Sequence, residues 1–182
     1  MNTKDIVYIA LFAAVTAVLG LFPPITLPVT GVPVTAQSLG PMLAGAILGA
    51  RRGGLAILLF VVLVAVGLPL LSGGRGGFGV FFGATGGFII GWIVAAFVIG
   101  LLIEKFWNRL NVFNAAASIA IGGVIVDYAI GNIWVAAVVK ISYWQATVGM
   151  APFLIGDGIK VAIATMACLA VKRAYPLISR SR

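Results

Sequence analysis

The chain has 182 residues, of which 62% are hydrophobic and only 9% are charged. Soluble domains carry roughly 25% charged residues, so the composition excludes an ordinary soluble protein and favours an integral membrane protein. The net charge is +8, yet nucleic acid is not expected as a partner, because so apolar a chain would not stay in solution to meet it. With no histidine and one cysteine, a Cys/His zinc site, a disulfide scaffold and histidine acid–base catalysis are excluded as well.

Six apolar segments follow one another along the chain, which we interpret as a single membrane domain of residues 1–182. A transmembrane helix needs about 20 apolar residues, with a range of roughly 17–25. The segments are apolar all round and do not alternate, which predicts an all-α protein with six transmembrane helices. The predicted spans are 6–22, 36–50, 54–71, 86–103, 115–139 and 151–171.

The cations are distributed unevenly over the connections between these spans. If the spans alternate across the membrane, nine cations lie on one side and only Arg75 and Lys140 lie on the other. Positive residues concentrate in cytoplasmic loops, so both termini are predicted to be cytoplasmic. The nine residues are Lys4, Arg51, Arg52, Lys105, Arg109, Lys172, Arg173, Arg180 and Arg182.

The outward connections differ from the inward ones. Loop 23–35 holds prolines at 23, 24, 28 and 33, which predicts an extended, ordered turn. Loop 72–85 consists mostly of glycine and phenylalanine, and loop 140–150 contains aromatic residues.

Three ionisable residues fall inside the spans, where a charge costs roughly 2.5–3.5 kcal/mol at the helix centre. Asp157 and Lys160 are three residues apart and share a helix face near the outer surface. They form either an ion pair that neutralises itself or a ligand site, in which the carboxylate accepts N–H groups and the ammonium binds an oxygen. Asp127 lies mid-span and fits a ligand site or a packing contact.

Five further residues are candidates for a ligand site, each with a plainer alternative. Asn132 offers an amide to a ligand or to a neighbouring helix. Gln37 opens the second span, where it either caps the helix or lines a cavity. Arg75 can hold a carboxylate with two hydrogen bonds, or remain solvated or on lipid phosphate. Trp134 and Tyr143 either line a pocket or act as anchors at the interface of the lipid bilayer.

Small residues recur at four-residue spacing on the first span. The pairs Ala10/Ala14 and Ala13/Ala17 each let another helix approach closely, either a partner or a helix of the same bundle. The sequence contains no nucleophile–base pair, metal-ligand cluster or phosphate-binding loop. We therefore expect no catalytic residue, metal or cofactor, and any use of ATP must belong to another chain.

Four stretches together resemble the BioY family, the biotin-binding S components of prokaryotic energy-coupling factor (ECF) transporters. The stretches are VPVTAQ at 32–37, GLPLLSGGRGG at 67–77, GATGG at 83–87 and GDGIK at 156–160. One mild departure is Ala84, where the family often has proline.

The resemblance implies six helices with cytoplasmic termini in the cell membrane, and a pocket that opens outward beneath the loop after the first helix. It implies that the alanine face of that helix meets a transmembrane coupling subunit, completed by two ATPase subunits. With biotin as ligand, Asp157 is expected to accept the ureido N–H groups. Lys160, Asn132 or Gln37 is expected to donate to the ureido oxygen. Arg75 or Lys160 is expected to bind the carboxylate. Tyr143 and Trp134 are expected to pack on the ring.

Other functions remain open from the sequence. The chain could be the S component for another small vitamin, or a solitary biotin transporter that works as a homo-oligomer. A membrane-embedded enzyme is disfavoured because no reactive pair is present. A purely structural subunit is disfavoured because a scaffold need not accept the insertion cost of Asp157 and Lys160.

Overall fold

In the computed structural model, residues 1–26 and 32–178 are described. Within them the regular structure is helical apart from two antiparallel strands of two residues each, which confirms the predicted all-α class. The elements are α1 (Thr3–Leu19), β1 (Ile25–Thr26), β2 (Pro33–Val34), α2 (Leu39–Leu48), α3 (Ala50–Ala65), α4 (Gly86–Phe106), α5 (Val112–Ala120), α6 (Asp127–Val139), α7 (Tyr143–Gly149) and α8 (Phe153–Ala174), with 3-10 turns at Phe78–Phe82 and Trp107–Arg109.

A helix lies over each of the six predicted segments, with shifted boundaries. The third segment differs most, since α3 ends at Ala65 and the chain turns at Gly67, whose φ is +113°. Glycine adopts this conformation without strain, and Pro69 then disfavours a further helical turn. Among the described residues three helices are long and apolar enough to cross a membrane, at 86–109, 112–139 and 153–174. The count of six spans stays a prediction.

Charged side chains join the helix ends at one end of the bundle. Arg52 of α3 forms an ion pair with Asp5 of α1 at 3.5 Å. Lys172 near the end of α8 donates to the carbonyl of Trp107 at 2.7 Å. Two of the cations that were predicted to share one side of the membrane, Arg52 and Lys172, thus lie at one end of the bundle, while the orientation of that end stays a prediction. Three residues named above, Pro28, Arg180 and Arg182, lie outside the described residues.

Helix α4 occupies the centre and packs against α2, α3 and α6. Helices α5 and α6 form one continuous helix through a π-helical turn at Ile121–Val126. Gly122 and Gly123 in this turn are buried, Gly122 against Ile99 of α4 and Gly123 against Met42 of α2. Such turns interrupt the regular hydrogen-bond ladder and are frequent at functional sites.

Candidate functional site

A cavity lies at the end of the bundle opposite to the joined helix ends. Its position follows from α8, whose first turns line the cavity while its last turn carries Lys172. Loops 32–38 and 71–85 and helices α4, α6 and α8 supply the walls. The polar wall residues are Thr35, Gln37, Ser38, Arg75, Thr85, Asp127, Tyr128, Asp157 and Lys160, and the larger apolar ones are Phe88, Trp92, Met150 and Phe153.

Asp157 and Lys160 form a buried ion pair that is tied to two other parts of the bundle. Their N···O distance is 2.9 Å, and their side chains are 7% and 12% exposed. Lys160 also donates to the hydroxyl of Ser38 at 2.8 Å, and the Tyr128 hydroxyl donates to the second carboxylate oxygen of Asp157. Buried pairs are stable only when further hydrogen bonds satisfy them, and these contacts meet that requirement.

Arg75 brings a second cation to the same cavity. Its Nε donates to the carbonyl of Ser72 at 3.3 Å, and its Nη1 donates to the hydroxyl of Thr85 at 3.4 Å. Within the described part of the chain it has no carboxylate partner. The guanidinium therefore keeps donors that can bind a carboxylate with two hydrogen bonds.

Asp127 contributes a second carboxylate. The residue is only 4% exposed, and its Oδ1 is buried without a hydrogen-bond partner among the described residues. Trp92 of α4 lines the same cavity. A buried carboxylate oxygen with no partner is costly, so it marks a position where a ligand N–H or O–H would be favourable.

Gln37 lines the cavity, but its carboxamide is already bonded to the protein. Its Nε2 donates to the carbonyls of Thr16 at 3.1 Å and Leu70 at 2.7 Å. Its Oε1 accepts from the backbone N–H of Ser72 at 3.0 Å. Few hydrogen bonds remain for a ligand.

Three other predicted site residues do not line the cavity. Asn132 is fully buried and donates to the Thr147 hydroxyl at 3.2 Å, so that it joins α6 to α7, and its Oδ1 is buried without a hydrogen-bond partner among the described residues. Trp134 donates to the carbonyl of Gly83 at 3.0 Å. Tyr143 is 48% exposed on the surface of α7, which begins with a capping box between Ser142 and Gln145.

The aromatic wall is built from residues that were not predicted as site residues. The rings of Phe88 on α4 and Tyr128 on α6 pack edge to face with centroids 6.0 Å apart. Phe88 and Trp92 are four residues apart on α4, and Phe153 stands four residues before Asp157 on α8. Residues at this spacing share a helix face, so extending the Asp157 face along its helix would have identified Phe153.

The four alanines of α1 divide between the surface and the interior. Ala10 and Ala14 lie on the surface, whereas Ala13 is 3% exposed in the core and Ala17 is partly buried. Only the first pair is therefore open to an external helix.

Comparison with known proteins identifies the family and the fold of the chain. The model of the BioY family matches residues 1–177. The chain is 47% identical to the biotin transporter BioY of Rhizobium etli, covering 98% of each, and 46% identical to that of Rhodobacter capsulatus, covering 95% of each. A crystal structure of the S component for biotin from an ECF-type ABC transporter matches with a TM-score of 0.90 and 30% identity, over 95% of each chain.

These relatives are named as transporters and not as enzymes, in agreement with the expected lack of catalysis. With its long apolar helices the chain is a multi-pass membrane protein. The match along nearly the whole sequence and the shared fold mean that the chain belongs to the BioY family.

Proposed function

We propose that this chain binds biotin with high affinity and mediates its uptake across the prokaryotic cell membrane, with the cavity open to the outside. The observation that carries the proposal is the convergence of Arg75, Lys160, Asp157 and Asp127 with an aromatic wall in one cavity. Biotin has a carboxylate at one end, two ureido N–H groups at the other and an apolar ring between them. The cavity offers a complementary group for each. The names of the relatives above support this ligand.

The cavity suggests how these groups are recognised. Asp157 and the unpartnered Oδ1 of Asp127 are acceptors for the ureido N–H groups. Lys160 donates to the ureido oxygen or to the carboxylate, and Arg75 donates to the carboxylate. Tyr128 packs beside the ring. The contacts of Gln37 and Asn132 to protein groups favour roles in positioning the site.

The direct test is calorimetric titration of the purified protein with biotin in detergent. Because Asp157 lies on the cavity wall, Asp157→Asn is expected to weaken binding about a hundredfold, as loss of a charged acceptor costs about 3 kcal/mol. The matched control is Asp5→Asn, which removes a carboxylate at the opposite end and should leave the affinity unchanged. Equal affinity of Asp157→Asn and the wild type would refute the assignment of this carboxylate.

Mass spectrometry of the small molecule that copurifies separates biotin from another vitamin. Biotin in the wild type and its loss from Asp157→Asn are expected. If a different vitamin copurifies and competes with labelled biotin, the proposed ligand is wrong, although the cavity is still the binding site.

We further propose that the chain acts with a transmembrane coupling subunit and two ATPase subunits, and itself holds no cofactor. Ala10 and Ala14 form a small-residue patch on the surface of α1 where a partner helix can approach closely. Ala14→Trp should abolish uptake and preserve biotin affinity, whereas Met166→Trp on the exposed surface of α8 should preserve both. If uptake by Ala14→Trp is normal, or if uptake persists without the ATPases, a solitary homo-oligomeric transporter is favoured.

A further inference from the structure

Gln37 is a buried junction between three segments of the chain. The residue is 1% exposed, and its carboxamide contacts the carbonyl of Thr16 in α1 as well as Leu70 and Ser72 in the loop after α3. Both amide hydrogens and the amide oxygen are thus committed to backbone groups. One side chain holds this loop to the last turn of α1 and to the start of α2.

The loop that Gln37 holds is the one that carries Arg75. Ser72 donates its backbone N–H to Gln37 and accepts from Arg75 Nε through its carbonyl. Leu71 and Arg75 exchange backbone hydrogen bonds at 3.0 and 3.2 Å, which closes the loop into a tight turn. Two consecutive hydrogen bonds, both made by the backbone of Ser72, therefore connect the side chain of Gln37 to the side chain of Arg75.

The end of α1 is fitted closely around this carboxamide. A Cβ atom at Gly20 would lie 2.5 Å from both Gln37 Nε2 and the Leu70 carbonyl. The φ of Gly20 is −71°, which any residue adopts, so the glycine is needed for space and not for backbone conformation. Any change in the position of α1 relative to the loop would therefore displace the carboxamide of Gln37.

We propose that Gln37 is a positioning residue that fixes Arg75 at the cavity, and that through it the affinity for an anionic ligand depends on the position of α1. This inference rests on the proposed function, because it assumes that Arg75 binds the ligand carboxylate. Binding of the proposed partner at Ala10 and Ala14 could then alter the affinity at the cavity, because Thr16, which contacts Gln37, lies on the same helix.

The test is a double-mutant cycle of Gln37→Glu with Arg75→Ala, measured as biotin affinity. The glutamate keeps the size of the side chain but places a carboxylate against two carbonyl oxygens, and the affinity should fall about tenfold. If Gln37 acts through Arg75, the substitution has no further effect in Arg75→Ala. If the losses of affinity in the two single variants add up in the double variant, Gln37 contacts the ligand directly, and the inference is overturned. Gln145→Glu is the control, since glutamate preserves the capping box of α7.

Gly20→Ala tests the contact with α1 from outside the cavity, and should weaken biotin binding severalfold. Gly54→Ala is its control, because a Cβ there meets Phe97 at an ordinary 3.5 Å. Unchanged affinity in Gly20→Ala would remove α1 from the proposal.

Hydrogen exchange without ligand provides a measurement that does not depend on biotin. Gln37→Glu should accelerate exchange of the amides in loop 70–77, whereas unchanged exchange would overturn the inference. If the wild type fails to bind biotin while this acceleration is observed, the proposed function fails and Gln37 is retained as the anchor of the loop.

Discussion

The two ends of the bundle use charged side chains in different ways. At one end, Arg52, Lys172 and Glu104 each contact a backbone group of another segment. At the other end, Asp157 and Lys160 line one cavity, and their hydrogen bonds within the described part of the chain go to side chains. The same residue types therefore join helices at one end and form a site at the other.

The two ends differ in the hydrogen-bonding capacity that they leave free for a ligand. The charges at the joined end complete helix termini, whose free N–H and C=O groups need partners. At the cavity, Arg75 and the Oδ1 of Asp127 have donor and acceptor capacity that the described protein groups leave unused. Unused capacity at a group that lines the cavity, more than charge or burial alone, distinguishes a candidate site from a structural contact, since the buried Oδ1 of Asn132 also lacks a described partner but does not line the cavity.

Exchanging a lysine for methionine at each end should give the largest contrast. Lys160→Met leaves Asp157 buried with the Tyr128 hydroxyl as its remaining partner, and removing one member of a buried pair costs about 3–5 kcal/mol. We expect a large fall in thermal stability and loss of measurable biotin binding.

Lys172→Met at the joined end is the matched substitution. It removes one hydrogen bond to the Trp107 carbonyl and a contact 5.2 Å from the Trp107 ring, so stability should fall by about 1 kcal/mol with unchanged biotin affinity. Thermal unfolding and calorimetry of both variants measure the contrast. A similar loss of affinity in the two would show that the ends are not functionally distinct.

The fold class was predictable because hydropathy and length dominate in a chain this apolar. The break between α2 and α3 was less predictable, since it depends on Gly49 at φ +83° and on Glu104, which is distant in sequence and accepts from the N–H of Ala50. Hydropathy also did not reveal that α3 ends at Ala65, because the apolar residues continue into the turn.

Most of the charged part of the cavity was predictable, because a charge inside a span is costly and therefore conspicuous, whereas Arg75 was recognised as a cation of an outward loop. Asp157, Lys160, Asp127 and Arg75 all line the cavity. The aromatic wall was not predictable, because its residues lie inside apolar spans, where composition does not distinguish a cavity wall from core packing. They are Phe88, Trp92, Tyr128 and Phe153. Gln37 shows a further limit, because its hydrogen-bond partners lie on distant segments.

Asp127→Asn should give a smaller effect that sharpens the same comparison. The amide is nearly the same size, so the unliganded protein should be as stable as the wild type or slightly more stable, since a buried charge is removed. If the free Oδ1 accepts from the ligand, biotin affinity should fall about tenfold. Loss of stability with unchanged affinity would instead identify Asp127 as a packing residue.

Glu104→Gln should give the smallest effect. The Glu104 carboxylate accepts from the N–H of Ala50 at 2.8 Å and thereby caps α3 from α4. Glutamine retains an oxygen for this bond but loses the negative charge beside the helix N-terminus, which is worth about 0.3–1 kcal/mol. Thermal unfolding should show a slightly lower melting temperature with unchanged biotin affinity. A loss of affinity would reveal a connection between the α2–α3 break and the cavity, because Glu104 does not line the cavity and its hydrogen bond goes to Ala50.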